Sequence, residues 1–349
     1  MNNSAQRPKV KLIATGGTIA MRYDAELKAS VPALDGEALL AIVPQISRYA
    51  DIDLENFGNK PSAHMQASDW LTLSQSVSRA LADNNVSAVV ITHGTDTLED
   101  NAFFLDLILN TVKPVVMVGA LRDASAEDSD GPGNLLDAVN VAVNRQALEN
   151  ASGLGVMVVM NGKICAARHV RKNHTVNVDA FSCGEADYLG TIVDSAVQFK
   201  RIPTTQGVKQ LALDAPDISA VQLPRVDIIT MYPGADAVLF DAAITAGAKG
   251  LVIQGLGAGN LNKAFYDAIE SAINKNIPVV MTSRVPNGAV APAYGFKGGG
   301  QTLQQLGTVF ADDLPAHKAR LVLMLALASG LENALDITHV FSQLGHSIV

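Results

Sequence analysis

A chain of 349 residues exceeds the roughly 250 to 300 at which a single core stops growing, so one large or two medium domains are expected. With 48% hydrophobic and 17% charged residues it is neither disordered nor fibrous, and a net charge of -8 argues against a broad phosphate-neutralising surface for nucleic acid. The longest apolar run, Leu321 to Ala328, falls far short of the roughly 18 residues of a membrane span and reads as a core helix.

The opening "MNNSAQRPKVKL" has no apolar segment ahead of the first strand, so no secretory signal is read in this chain. A cytoplasmic location is therefore expected, or a periplasmic one if a precursor was processed. Short β-branched runs follow ("KVKLIAT", "VSAVVIT", "PVVMVGA", "GVMVVMN"), alternating with helical stretches such as "ASDWLTLSQSVSRALADNN" and "TLEDNAFFLDLILN". This is the pattern of a largely parallel sheet covered on both faces. The stretch from Gly190 to Pro224 is polar and carries little periodicity. After it a second series begins: "RVDIITMY", "GAKGLVIQG" and "IPVVMTS". The expected fold is α/β with two domains: a larger N-terminal, mostly parallel sheet flanked by helices over 1–199, a linker at 200–223, and a smaller α/β domain over 224–349. Cys165 and Cys183 form no metal or redox spacing and are expected as reduced thiols.

Ligands of open α/β sheets bind beyond the carboxyl ends of the strands. Those ends deliver "TGGT" (Thr15–Thr18), "THGTDT" (Thr92–Thr97), the loop Gly119–Asn134, "GLGAGN" (Gly255–Asn260) and "SRVPNG" (Ser283–Gly288). Hydroxyls, carboxylates and glycines of this kind suit a small polar substrate. In "THGTDT", Thr97-x-x-Asp100 is compatible with a capping box, which sets Thr95 and Asp96 at a strand-to-helix turn. There they either face a ligand together or merely cap the helix. His93 reads as a packed or backbone-bonded histidine.

A threonine hydroxyl is a weak nucleophile and needs a base, or a lysine whose burial disfavours its ammonium form. Lys172, within "ARHVRKNHT", is a candidate, although nothing in the spacing ties it to Thr95 and such a stretch also suits a solvated basic edge. No phosphate loop, dinucleotide fingerprint, H-E-x-x-H or G-x-S-x-G is present, and His169 with His174 are poorly spaced for one helical face, so metal and serine-hydrolase readings fall.

The segments "IATGGTIA", "VVITHGTDTLED", "KPVVMVGALR", "DGPGNLLDAV", "GAGNL" and "SRVPNGAV" together resemble the bacterial L-asparaginase family of amidohydrolases, from about Lys9 to the C-terminal helices. The resemblance implies hydrolysis of L-asparagine to L-aspartate and ammonia through a threonyl acyl-enzyme, without cofactor or metal. It implies Thr18 as nucleophile. It implies Thr95 as the second essential threonine, grouped with Lys172, which would tune its hydroxyl, and with Asp96, which would hold the substrate α-ammonium. Ser62 matches the serine at the α-carboxylate, Ala120 a backbone carbonyl that receives the substrate amide, and Asn260 an asparagine contributed by the neighbouring subunit. A homotetramer built from intimate dimers is implied as well.

Three departures bear on substrate choice. The family's flap tyrosine, about thirteen residues after the nucleophile, has no counterpart in "AELKASVP". Tyr23, five residues beyond Thr18, either replaces it or is an ordinary flap residue. "AVAPAYGF" lacks an acidic residue that some members donate to the partner, and "SAH" stands in place of "SQD". A glutaminase-asparaginase, or an amidase of other preference, is the alternative enzyme. A weakly catalytic amino-acid sensor is the alternative of another class.

Overall fold

In the computed structural model, which describes residues 7–203, Leu211 and 221–344, the apolar runs of the first half become strands. These are β1 (Lys9–Ala14), a hairpin of β2 (Met21–Asp24) and β3 (Ala29–Pro32), then β4 (Asp51–Asn56), β5 (Ala88–Thr92), β6 (Val115–Val118) and β7 (Val156–Met160). Helices α1 (Gly36–Ile42), α2 (Ala67–Ala82), α3 (Leu98–Ile108) and α4 (Gly131–Ala142) fall between them, and the short α5 (Arg145–Glu149) and α6 (Ala151–Leu154) lead into β7. Strands β5, β6 and β7 are buried at every position, because α2, α3 and α4 pack against them and leave neither face to water. That double burial is why they read as continuous apolar runs rather than alternating ones.

The antiparallel part follows: β8 (Lys163–Ala166), the two-residue pair β9 (Arg171–Lys172) and β10 (Phe181–Ser182), then β11 (Gly190–Val193) and β12 (Ala196–Phe199). The sheet order is β12-β11-β8-β7-β6-β5-β1-β4, with β4, β1, β5, β6 and β7 mutually parallel and the rest antiparallel. Register pairs Ala14 with Thr92 and Thr92 with Val118, so the polar segments after β1, β5 and β6 emerge at one edge.

One expectation is corrected here. The start of the stretch read as polar and aperiodic is the hairpin β11–β12, closed by Asp194 and Ser195 at φ 49° and 64°. Both turn residues are left-handed, the requirement of a two-residue turn matched to strand twist. β12 forms the sheet edge and β11 lies between it and β8; both strands alternate in burial, but each is only four residues long, too short for the alternation to stand out among polar neighbours.

The chain divides into two units, Met1–Lys209 and Gln210–Val349. Most of the expected linker, including "KQLALDAP" apart from Leu211, lies outside the described residues. In the second unit, β13 (Val226–Thr230), β14 (Gly250–Gly255), β15 (Val279–Ser283) and β16 (Val309–Phe310) form a four-stranded parallel sheet in that order. Helices α7 (Val238–Thr245), α8 (Lys263–Asn274), α9 (Gly300–Leu306), α10 (Ala316–Ala328) and α11 (Ala334–Leu344) accompany it. Its core includes Ile229, Phe240, Ile253, Phe265 and Met281, with Phe240 edge-on to Phe265 at 4.9 Å. Leu321 to Ala326 of α10 are buried throughout as that helix packs on the sheet, which explains its lack of a polar face. Among the described residues no helix is long and apolar enough to cross a membrane. Cys165 and Cys183 are buried and form no disulfide.

Candidate active site

Three turns at the carboxyl edge of the larger sheet are packed closely, backbone against backbone at Gly17 and Gly94 and backbone against the Ser62 side chain at the third. Thr15 ends β1, its N–H and hydroxyl both donating to the Thr92 carbonyl at 3.3 and 2.7 Å. The chain then passes through Gly16 and Gly17 at φ 97° and 87° before the 3-10 turn Thr18–Ala20. A Cβ on Gly17 would lie 2.3 Å from the Gly94 backbone, and one on Gly94 would lie 2.7 Å from Ser62 Oγ. Only glycine permits this approach. The stacking draws the Thr18 turn, the Thr95 turn and Ser62 to one corner.

Thr95 is 4% exposed, and its Oγ accepts a hydrogen bond from Lys172 Nζ at 2.9 Å. The same ammonium donates to Asp96 Oδ1 at 2.7 Å. Lys172 reaches them from β9, fixed by pairing with Phe181 of β10, and its side chain is 16% exposed while that of Asp96 is 69% exposed. Since an ammonium is only a donor, the Thr95 hydroxyl keeps its own proton available for another acceptor. The Asp96 carboxylate, open to solvent, has lone pairs left for a cation.

Thr95 and Asp96 do not cap the following helix. Thr97 is the N-cap residue of α3 but makes no side-chain cap, because its ψ of 19° is far from the extended value that aims a hydroxyl at the first turn. The expected capping box does not form. Thr97 Oγ instead donates to the Ser62 carbonyl at 3.0 Å and ties the short Ser62–His64 turn to the corner.

His93 is fully buried, with Nδ1 2.8 Å from the Gly94 carbonyl and Nε2 2.9 Å from Asn101 Nδ2. Burial pushes its pKa down to about 4, partly offset by the Gly94 bond, so the ring is neutral at pH 7. The amide of Asn101 can only donate to Nε2, which leaves the proton on Nδ1 for Gly94. His93 is thus the packed, backbone-bonded residue expected of it.

Ala120 is fully buried just beyond β6. Its loop is secured by two further side chains, Asp130 and Asn134. Asp130, the N-cap residue of α4, accepts from Leu121 N–H at 3.0 Å and Arg122 N–H at 2.9 Å, and Asn134 Nδ2 donates to the Gly119 carbonyl at 3.1 Å. The signal was available in "DGPGN", but it assigns no chemistry to either side chain because both act on backbone.

The remaining candidates lie on other elements. Tyr23 is on β2 and 55% exposed, with its backbone N–H donating to Ser125 Oγ at 2.9 Å. Asn260 belongs to the second unit, where it bridges to Leu256 through paired backbone bonds of 2.9 and 2.8 Å; its Oδ1 is buried with no hydrogen-bond partner among the described residues. Ser283 Oγ and Arg284 N–H hold the same loop through the Gly257 and Gly255 carbonyls. Among the described residues no cluster of three or more histidine, cysteine or acidic side chains is arranged to hold a metal.

Residues 9–205 match the model of the asparaginase N-terminal domain, and residues 225–341 match that of the glutaminase/asparaginase C-terminal domain. The chain belongs to the asparaginase family. Among its relatives in this family, L-asparaginase 2 of Bacillus subtilis is 37% identical, the match covering 92% of this chain and 82% of that protein. L-asparaginase 2 of Escherichia coli is 34% identical over 96% and 93%. The crystal structure of a probable cytoplasmic L-asparaginase from Campylobacter jejuni superposes with a TM-score of 0.84 at 38% identity, covering 96% of this chain and 99% of that one. The asparaginase fold, two α/β domains with the larger sheet first, is therefore common to both.

Proposed function

We propose that this asparaginase-family chain is an amidohydrolase that converts L-asparagine to L-aspartate and ammonia. One observation carries the reading: Lys172 donates to both Thr95 Oγ and Asp96 in a corner built against the Thr18 turn. In the proposed reaction Thr18 Oγ attacks the side-chain amide carbon, its hydroxyl proton passes to the amide nitrogen, the C–N bond breaks and ammonia leaves; water then cleaves the acyl ester, returning a proton to Thr18 Oγ and releasing L-aspartate. Lys172 sets the Thr95 hydroxyl to orient that water, and the Thr95 backbone N–H stabilises the oxyanion. Asp96 holds the α-ammonium, Ser62 the α-carboxylate, and the Ala120 carbonyl accepts an N–H of the substrate amide. Tyr23 closes over the site from its hairpin. No cofactor or metal takes part. Asn260 completes the site of a neighbouring subunit within an intimate dimer, two of which form a tetramer. The reading places the enzyme in the cytoplasm and sets its domains at 1–199 and 224–349 about a linker.

Ammonia release measured side by side with L-asparagine, L-glutamine and D-asparagine tests the reaction. The expected order puts L-asparagine first. Turnover of L-glutamine at a comparable rate would instead establish the glutaminase-asparaginase alternative, to which the "SAH" departure at a substrate-contacting position is relevant. Binding without turnover would establish a sensor. Thr18→Ala and Thr95→Val are expected to abolish hydrolysis in a folded chain.

A further inference from the structure

Ala120 serves the proposed site through its backbone alone, so the direction of its carbonyl is the whole of its contribution. Two side chains of α4 and its cap determine that direction. On one side, Asn134 Nδ2 donates to the Gly119 carbonyl at 3.1 Å. On the other, both carboxylate oxygens of Asp130 accept from Leu121 N–H at 3.0 Å, and one also accepts from Arg122 N–H at 2.9 Å. Asn134 Nδ2 further donates to Asp130 Oδ2 at 3.0 Å, and Asn134 Oδ1 accepts from Asn161 N–H at 2.9 Å, so the two side chains also brace each other.

The peptide unit is planar, and in the trans form the C=O of one residue points opposite to the N–H of the next. No peptide bond in the described chain is cis. With Leu121 N–H fixed on Asp130, the Ala120 carbonyl must point away from Asp130. With the Gly119 carbonyl fixed on Asn134, the preceding peptide cannot swing to relax it. The result is a carbonyl on a fully buried residue that meets no hydrogen-bond donor among the described residues. A buried carbonyl left in that state costs free energy, so it persists only where the surrounding bonds compel it.

We propose that Asp130 and Asn134 are positioning residues that clamp the peptides on either side of Ala120, so that its carbonyl is aimed at the amide nitrogen that leaves. This rests on the reading that the Ala120 carbonyl accepts the substrate amide. The chemistry gives the clamp a purpose. An N–H held by a carbonyl makes its nitrogen more basic, and nitrogen must gain a proton before the C–N bond breaks. A substrate whose leaving atom bears no hydrogen gains nothing from the clamp.

The β-methyl ester of L-aspartate is such a substrate. In the full-length enzyme, kcat/KM for L-asparagine and for this ester is measured alongside thermal unfolding. Asp130→Asn is expected to lower the amide value by about 10- to 100-fold while the ester value stays within about threefold. Asn134→Ser, which leaves Asp130 on Leu121 and Arg122 and frees the Gly119 carbonyl, is expected to shift the amide-to-ester ratio in the same direction by less. If Asp130→Asn does not fold, Asn134→Ser decides. Equal losses on both substrates, or no loss on the amide, overturn the clamp while leaving the asparaginase reading intact. An unaltered chain that turns over neither substrate overturns both.

Discussion

The corner of Gly17, Gly94 and Ser62 and the hairpin Met21–Pro32 adjoin in sequence but are built by opposite means. The corner packs Gly17 backbone on Gly94 backbone and Gly94 on the Ser62 side chain, at distances that exclude even a methyl group, and it surrounds a Thr95 that is 4% exposed. The hairpin lies in the open. It is fastened to the Asp123–Ser125 loop by Ala124 N–H to the Met21 carbonyl at 2.9 Å, Tyr23 N–H to Ser125 Oγ at 2.9 Å and Ser30 Oγ to Asp123 at 2.6 Å. Each such bond contributes on the order of 1 kcal/mol. Groups that must hold a fixed geometry sit where no side chain can be exchanged, whereas the segment carrying Tyr23 is free to adjust.

The hardest way to break this contrast is Gly17→Ala. The new methyl meets the Gly94 backbone at 2.3 Å, and the residue sits at φ 87°. Left-handed backbone costs about 1 to 2 kcal/mol and overpacking about 1 to 3, so a loss of roughly 2 to 5 kcal/mol in urea unfolding is expected, together with turnover. Wild-type stability and rate would show that the corner tolerates movement. Lys172→Met follows, since it keeps the packed stem and removes both hydrogen bonds. Hydrolysis is expected to fall by about 10² to 10⁴ with little change in unfolding, and the residual pH profile to change shape. An unchanged profile removes Lys172 from its role.

These two variants also mark where the sequence is legible. The Gly-Gly pair and the strand before it are local, and double-sided burial writes β5, β6 and β7 as plain apolar runs. The Lys172–Thr95 bond spans 77 positions, and no spacing rule predicts it; only resemblance to known asparaginases put the two together. Thr97 shows the converse failure, because a capping pattern is visible in the sequence whereas the ψ that defeats it is imposed by the turn. Asp130 and Asn134 escaped notice since their partners are peptide groups, which every residue carries. The β11–β12 hairpin escaped notice because each strand is only four residues long, too short for its alternation of faces to stand out from the polar stretch around it.

The corner and the hairpin should also answer acid differently. His93 folds neutral with a pKa of about 4 against an ordinary 6.5, so the unfolded chain binds the proton more readily. Stability is then complete above about pH 6.5 and declines as pH falls towards 4, by roughly 3 kcal/mol from this residue. Urea unfolding across that window is expected to show the decline, and His93→Gln to flatten it. An equally steep curve for the variant would assign the effect elsewhere. Tyr23→Phe probes the hairpin's part in chemistry. A drop in kcat of about tenfold is expected if its hydroxyl assists proton transfer. A change below twofold makes it an ordinary residue of the hairpin.

The smallest expected effect concerns the fastening itself. Hydrogen bonds from the Ser125 and Ser30 hydroxyls hold the Asp123 carboxyl below its ordinary pKa of 3.8, against a smaller opposing effect of burial. A carboxylate shifted this way adds stability that is full above the unfolded value and is lost as pH drops through the folded one, so the tie persists through the range where His93 has already titrated. Because the site is exposed, screening limits its contribution to about a few tenths of a kcal/mol. Asp123→Ala at pH 7 removes the same acceptors without acid. Faster amide hydrogen exchange is expected in Met21–Pro32, with α3 unaffected. Faster exchange in α3 as well would mean that hairpin and corner are one cooperative unit, and the division between a fixed and an adjustable region would have to be abandoned.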